Sequence, residues 1–81
     1  MSDLDMEKIY KQIGQNVKKY REQKGFSQLA LSLAIGHKSV GTISMAEIYL
    51  NKKHFNIEHL TKISKALDVN ICRFFEGIDT L

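Results

Sequence analysis

The sequence has no proline, no tryptophan and a single cysteine, Cys72, among its 81 residues. One cysteine excludes an internal disulfide, which argues against a small secreted module and is compatible with a reducing compartment. No apolar run approaches the roughly 20 residues that span a bilayer, so we expect no membrane segment. The acidic start, MSDLDME, lacks the apolar core of a signal peptide. These absences predict a cytoplasmic protein.

Period-two alternation of polar and apolar residues is also missing over any length that would make a strand. Apolar residues instead recur every three or four positions, first within residues 6–20 and again within residues 57–67. We therefore expect one all-α domain, residues 1–81, built from five short helices, with residues 1–5 frayed.

Polar residues and glycines mark where these helices begin and end. Gly25 is suited to the left-handed position that follows the first helix, and Gly36 allows a tight turn after the second. Side chains of Ser, Thr and Asn accept hydrogen bonds from the free N–H groups of a helix start. The expected N-caps are Ser27 for the second helix, Ser39 or Thr42 for the third, Asn56 for the fourth and Asn70 for the fifth.

The charge of the chain is unevenly distributed. The net charge is +3, but residues 8–65 carry 11 Lys and Arg against three Glu, a balance of +8, and both ends are acidic. A basic surface on a small domain favours a polyanion such as nucleic acid as partner. A solvated lysine-rich face explains the same composition, so charge alone leaves both interpretations open.

Catalytic signatures are missing from the sequence. It has no glycine-rich phosphate loop, no Ser/His/Asp grouping and no carboxylate pair suited to a cleft. His37, His54 and His59 lack the spacing of metal ligands, both among themselves and with Cys72. We expect neither an enzyme nor a metal or other cofactor.

Helices two and three are short and joined by a glycine turn, an arrangement whose second helix can enter a DNA major groove about 12 Å wide. The residues around this turn resemble the phage-repressor and Cro type of helix-turn-helix regulator, which includes controller proteins of restriction–modification systems. The resemblance runs from residue 13 to residue 75. The matching pieces are Val17, Arg21 and KGFSQ, then Leu31, Ile35 and Gly36, then IS and Glu47, then LTKISKALDV.

The resemblance implies a compact five-helix, lambda-repressor-like fold and a role for each matching position. Arg21 and Glu47 correspond to an ion pair that joins the first helix to the end of the third. Ile43 and Ala46 correspond to core positions of the third helix. The positions expected to bind double-stranded DNA are Gln28, Lys38, Ser39, Val40, Gly41, Thr42, Ser44, Met45, Lys52 and Lys53.

The sequence departs from the family pattern at three points. The turn after Gly36 is one residue longer, and Ser32 occupies a position where the family has a small Ala. The third helix also looks a turn longer after Glu47 than is usual in the family. Residues 39–45 contain no Arg, Asn or Gln, the side chains that discriminate bases most strongly. We therefore expect phosphate contacts and DNA shape to contribute much of the recognition.

Helix two is apolar almost all round, because Leu29, Ala30, Leu33 and Ala34 stand at positions that are usually polar in the family. Either the register slips or helix one covers these residues, or they form an exposed patch for a protein partner, chiefly through Leu29 and Leu33. An exposed patch would leave an alternative function open, an antitoxin-like or anti-repressor module whose main partner is a protein.

The C-terminal residues 70–81 contain apolar side chains that suit a homodimer contact. A two-fold dimer would place two recognition helices on successive major grooves and would read a near-palindromic operator, and we expect one such operator at its own gene. Cys72 is expected to be a small buried or interface hydrophobe. The expected interface residues are Ile71, Phe74, Phe75, Ile78 and Leu81.

Overall fold

The computed structural model describes residues 5–81, and these residues contain helices and no strand. The four α-helices are α1, Met6–Gln23, α2, Gln28–Ala34, α3, Gly41–Ile48, and α4, Ile57–Leu67. The fifth helix, Ile71–Phe75, is a 3-10 helix, and two shorter 3-10 segments are Leu50–Lys52 and Ile78–Thr80. The expected all-α, five-helix fold is confirmed. Within residues 5–81, no helix is long and apolar enough to cross a membrane.

The predicted caps of three helices are present. The side chain of Ser27 accepts a hydrogen bond from the backbone N–H of Ala30 at 2.9 Å, and those of Asn56 and Asn70 cap their helices in the same way. Asp5 caps α1, so the expectation that this residue is frayed is wrong. The rest of the segment that we expected to be frayed, residues 1–4, lies outside the described residues.

The boundaries of α3 differ from the prediction. No side chain caps its first turn, where Val40 occupies the capping position, so neither Ser39 nor Thr42 has the expected role. The helix ends at Ile48 because Tyr49 adopts a left-handed conformation, with φ of 57°. The expected extra turn after Glu47 is therefore wrong, and a short 3-10 segment follows instead.

A side chain of α2 holds the turn between α2 and α3. Gly36 has a φ of +90°, which ends α2 in a conformation that side-chain-bearing residues rarely adopt. The hydroxyl of the buried Ser32 then donates a hydrogen bond to the carbonyl oxygen of Ser39. The side chain of Ser32 in α2 therefore binds the turn directly.

The core forms where the apolar faces of α1 to α4 and the fifth helix meet. Gly14 allows α1 to cross α3 closely, since a Cβ atom at this position would lie 2.6 Å from the carbonyl oxygens of Ala46 and Glu47. The buried hydrophobic residues are Ile13, Val17, Leu31, Ile35, Ile43, Ala46, Phe55, Leu60, Ile63, Leu67 and Phe74.

The C-terminal segment is bound to α1 rather than free. The side-chain amide of the buried Asn16 donates hydrogen bonds to the carbonyl oxygens of Phe74 at 2.9 Å and Glu76 at 2.8 Å. Phe74 is completely buried, so it belongs to the core and not to the expected dimer interface. Cys72, by contrast, is exposed, so the first of its two expected roles, a small buried hydrophobe, is wrong, and the second, an interface hydrophobe, stays a prediction.

The outer face of α2 is uncovered. Leu29 is 50% exposed and Leu33 is 57% exposed, and the small residues Ala30 and Ala34 are exposed as well. The expectation that α1 covers these side chains, or that a slipped register buries them, is therefore wrong.

Candidate nucleic-acid interface

The third helix, α3, has one face in the core and one face in solvent. Ile43, Ala46 and Glu47 are buried, which confirms the two predicted core positions of this helix. At about 100° per residue, the opposite side is formed by Gly41, Ser44, Met45 and Ile48. Ile48 is 60% exposed and is the central residue that the sequence analysis missed. Its position, three residues after Met45 and seven after Gly41, is the signal that identifies it.

The remaining residues expected to bind DNA lie at the start of this face. Lys38, Ser39 and Val40 are exposed in the turn that leads into α3, and Thr42 is half-buried at one edge of the helix. The hydroxyl of Thr42 lies 3.3 Å from Nδ1 of His37. These side chains therefore form one continuous surface with the outward face of α3. They are small apart from Lys38.

A buried ion pair fixes the end of α3 against α1. Arg21 Nε lies 2.7 Å from Glu47 Oε2, and Arg21 Nη2 donates to Oε1 of the same carboxylate at 3.2 Å. Nη1 of Arg21 also donates to the carbonyl oxygen of Phe26 at 2.8 Å. Both oxygens of Glu47 are therefore bonded inside the protein, so this carboxylate holds the helix and does not face a ligand.

Gln28 belongs to the same network. Its side-chain amide donates a hydrogen bond to Glu47 Oε1 at 3.0 Å, which links α2 to the pair formed by α1 and α3. An amide nitrogen carries two hydrogens, so one remains for another acceptor. The side chain is half-buried and lies at the first residue of α2, where helix N–H groups favour an anion.

The segment after α3 carries two exposed lysines, Lys52 and Lys53. Lys52 has a left-handed backbone, with φ of 63°, within a tight reversal of the chain. The ring of His54 stacks on that of Tyr10 in α1, with 3.8 Å between the ring centroids and 15° between the planes. This stacking packs the loop against α1 and so limits where the two lysines can lie.

A pocket of about 250 Å³ lies beside α3, between this helix and the start of α4. The sequence analysis did not join His59 to this surface, because the pocket forms between helices that are separate in sequence. The residues that line it are Gly41, Thr42, Met45, Ala46, Lys53, His54 and His59.

His59 has a defined protonation state in this pocket. The backbone N–H of Asn56 donates to Nδ1 of His59 at 3.1 Å, while the N–H of His59 donates to the side chain of Asn56 at 2.8 Å. Burial, with a further contribution from the nearby His37, lowers the pKa of His59 below its ordinary value of 6.5. The neutral ring therefore accepts at Nδ1 and presents its proton at Nε2.

These features suit contact with a polyanion better than chemistry on a small molecule. No group of three His, Cys, Asp or Glu side chains in residues 5–81 is placed to hold a metal ion. No Asp or Glu occurs in the sequence between Glu22 and Glu47, and Glu47 itself is buried. The turn and the outward face of α3 therefore carry no carboxylate that would repel phosphate. The surface is a convex helix flanked by lysines.

A family model described as helix-turn-helix matches residues 17–74, which is more than half of the chain. The match begins at Val17 in α1, includes α2, α3 and α4, and ends at Phe74 in the fifth helix. No curated protein sequence matches the chain.

Proposed function

Because this chain belongs to the helix-turn-helix family of the Cro and lambda-repressor type, which binds DNA and is not an enzyme family, we propose that it is a sequence-specific transcriptional regulator. The observation that carries the proposal is the outward face of α3, where Ile48 is exposed and the other residues are half-buried. This face is free of carboxylates and is followed by Lys52 and Lys53. Such a regulator acts in the cytoplasm, where the DNA of its operator is located.

In the proposed complex, α3 enters the major groove with Gly41, Met45 and Ile48 facing the base edges. The methyl groups of Met45 and Ile48 suit contact with thymine methyls, and the hydroxyl of Ser44 can make a single hydrogen bond. None of these contacts discriminates as strongly as a bidentate Arg or Asn. Sequence preference therefore depends in part on the shape and deformability of the operator.

Phosphate contacts supply most of the affinity in this proposal. Lys38 precedes α3, and Lys52 and Lys53 follow it, so positive charge lies on both sides of the groove-facing residues. The second amide hydrogen of Gln28 and the N-terminus of α2 favour a further phosphate. His59 adds a neutral N–H donor at the rim of the pocket beside α3.

We also propose that the regulator is a homodimer and that residues 1–81 are one domain. Phe75 and Ile78 line an apolar groove whose rim includes Ile57, which is 67% exposed. This groove extends the expected interface, Ile71, Phe75, Ile78 and Leu81, onto the start of α4. A two-fold contact there suits half-sites about 34–36 Å apart in a near-palindromic operator.

The first test is a titration of the DNA upstream of the protein's own gene at two salt concentrations, with excess random competitor. We expect binding that survives the competitor and weakens steeply with salt, and a footprint with two half-sites. Binding that disappears with competitor would contradict a sequence-specific operator and autoregulation.

Single variants identify which lysines contact phosphate. Lys52→Asn and Lys53→Gln should each reduce the slope of log affinity against log salt by about 0.9 per protomer, which is about 1.8 for the bound dimer. Asn is chosen at position 52 because it tolerates the left-handed backbone. Lys65→Gln, near the C-terminal end of α4, is the matched control and should leave the slope unchanged. Equal slopes for all three variants and the parent chain would contradict the proposed contacts.

A second candidate function is supported by the exposed leucines of α2. Leu29 and Leu33 contribute nothing to the core, and DNA phosphates offer such side chains no favourable contact. We propose that this helix binds a protein partner, as an additional or an alternative function of the same fold. Its test is a selection of helical peptides that bind the full chain.

A further inference from the structure

The exposed residues of α2 form one continuous apolar arc. At about 100° per residue, Leu29, Leu33, Ala30 and Ala34 follow one another in that order across roughly 140° of the helix surface. The arc continues into a shallow groove between α2 and α4. This groove is lined by Ala34, Ile35, Gly36, Lys62, Lys65 and Ala66. We call the arc and the groove together the α2–α4 surface.

The α2–α4 surface faces away from the candidate DNA interface. On α2, the side chains that contact the α3 region are Gln28, bonded to Glu47, and Ser32, bonded to Ser39. These two positions lie roughly 150° around the helix from the centre of the exposed arc. The surface therefore stays uncovered when α3 occupies a DNA groove.

All the charge on the α2–α4 surface is positive. Helix α2 has no charged residue, and the groove contributes only Lys62 and Lys65. Lys62 donates to Glu58 at 2.9 Å, but this pair is exposed, and such pairs contribute little and exchange readily. Within residues 5–81, Lys65 has no carboxylate within ion-pair distance.

We propose that the α2–α4 surface is a docking site for an amphipathic helix with acidic side chains along one edge of its apolar stripe. The small residues Ala34, Gly36 and Ala66 allow close approach of a helix, while Leu29 and Leu33 supply a wall for its large apolar side chains. Carboxylates on the partner then reach Lys62 and Lys65. This assignment rests on the second candidate function and gives its partner a chemical class.

A second copy of this chain fits the surface less well. A two-fold contact places the same patch of each copy against the other, and the residues that line this groove include two lysines but no carboxylate to pair with them.

The test is a selection from a display library of helical peptides, with the full chain as bait. Each peptide has about five turns, roughly 18 residues, with leucines fixed at i, i+3, i+4 and i+7 and the other positions randomised. Counter-selection uses the Leu29→Gln/Leu33→Gln variant. We expect enrichment of Asp and Glu over Lys and Arg, and at least about tenfold weaker binding of the selected peptides to the counter-selection variant.

Three variants separate the contributions. Lys62→Glu/Lys65→Glu as bait should reverse the preference and enrich Lys and Arg. Leu50→Gln removes a similarly exposed apolar side chain, 47% exposed, outside the surface and should leave peptide binding unchanged. Retained operator binding by Leu29→Gln/Leu33→Gln shows that this variant is folded and that DNA binding stands independently of the peptide result.

Two outcomes would overturn the acidic-helix assignment alone. Enriched peptides that are basic or uncharged would leave a protein-binding surface without the proposed charge selection. Concentration-dependent self-association that is lost in Leu29→Gln/Leu33→Gln would assign the surface to a second copy. If no peptide is enriched over the counter-selection variant, both the docking site and the second candidate function are wrong.

Discussion

The guanidinium of Arg21 and the carboxylate of Glu47, 26 positions apart in the sequence, meet at 2.7 Å with 8% and 1% of their side chains exposed. The pair joins the first and third α-helices, and Gln28 adds the second. Because both charges are removed from water, the pair stabilises the fold only as long as both partners are present.

Glu47→Gln should lower the free energy of unfolding by about 3–5 kcal/mol, since it leaves the charge of Arg21 buried without a counter-charge. Urea denaturation followed by circular dichroism measures the change. Glu22→Gln, at an exposed position of α1, is the control and should change stability by less than about 0.5 kcal/mol. The double variant Arg21→Met/Glu47→Leu should recover much of the loss. A loss below about 1 kcal/mol for Glu47→Gln would contradict the buried pair.

Gly14→Ala should destabilise the protein by about 1–3 kcal/mol, although Ala favours helices, because the added methyl meets backbone oxygens of α3 that cannot rotate away. Gly41→Ala is the matched comparison. A Cβ at position 41 meets only the Ser39 hydroxyl oxygen, at 3.9 Å, so this change should be tolerated by the fold. Thermal unfolding measures the change in stability of both variants. A stabilised Gly14→Ala would contradict the close crossing of α1 and α3.

Local patterns in the sequence predicted most of the scaffold. Helix periodicity, the caps Ser27, Asn56 and Asn70, and the spacing of Ile43 and Ala46 are decided within a few residues of each position. The same information did not predict that Asn16 binds the carbonyl oxygens of Phe74 and Glu76.

The misplaced features depend on contacts between distant segments. The end of α3 is set by the left-handed backbone at Tyr49, whose ring packs 5.9 Å from that of Tyr10 in α1. His59 reaches the candidate interface only because α4 begins beside α3. Phe74 and Phe75 are identical and adjacent in the sequence, and only the packing against α1 decides which one is buried.

Ser32→Ala should lower the free energy of unfolding by about 0.5–1.5 kcal/mol, because the carbonyl of Ser39 loses its hydrogen bond. The loss should also reduce operator affinity, since Ser39 leads directly into α3. Ser44→Ala removes a hydroxyl from the outward face and should leave stability within about 0.5 kcal/mol of the parent chain. Denaturation and operator titration on both variants measure the two effects, and unchanged affinity for Ser32→Ala would contradict the role of Ser32 in the turn.

His59 should make stability depend on pH. Its pKa is lowered in the folded state, so the unfolded chain takes up the proton first as pH falls. The stabilisation is complete above pH 6.5 and should be lost as pH falls from there through the lower folded pKa. Protonation also removes the acceptor of the Asn56 N–H. His59→Gln keeps an acceptor at this capping position but does not titrate.

The difference in unfolding free energy between the parent chain and His59→Gln, measured by urea denaturation between pH 7.5 and about pH 5, isolates this contribution. We expect the parent chain to lose stability relative to the variant as pH falls. Parallel curves across this interval would show that the ring is not held in the neutral form.

The burial of Glu47 beside Ile43 and Ala46 divides the residues of α3 into two sets, one buried and one outward. Those three residues are buried in the core, whereas Gly41, Ser44, Met45 and Ile48 lie on the opposite side of the helix. The outward residues can therefore be exchanged without changing the residues that hold the core. Substitutions at the four outward positions can be chosen to bind a new operator, while the three buried residues, and with them the fold, stay unchanged.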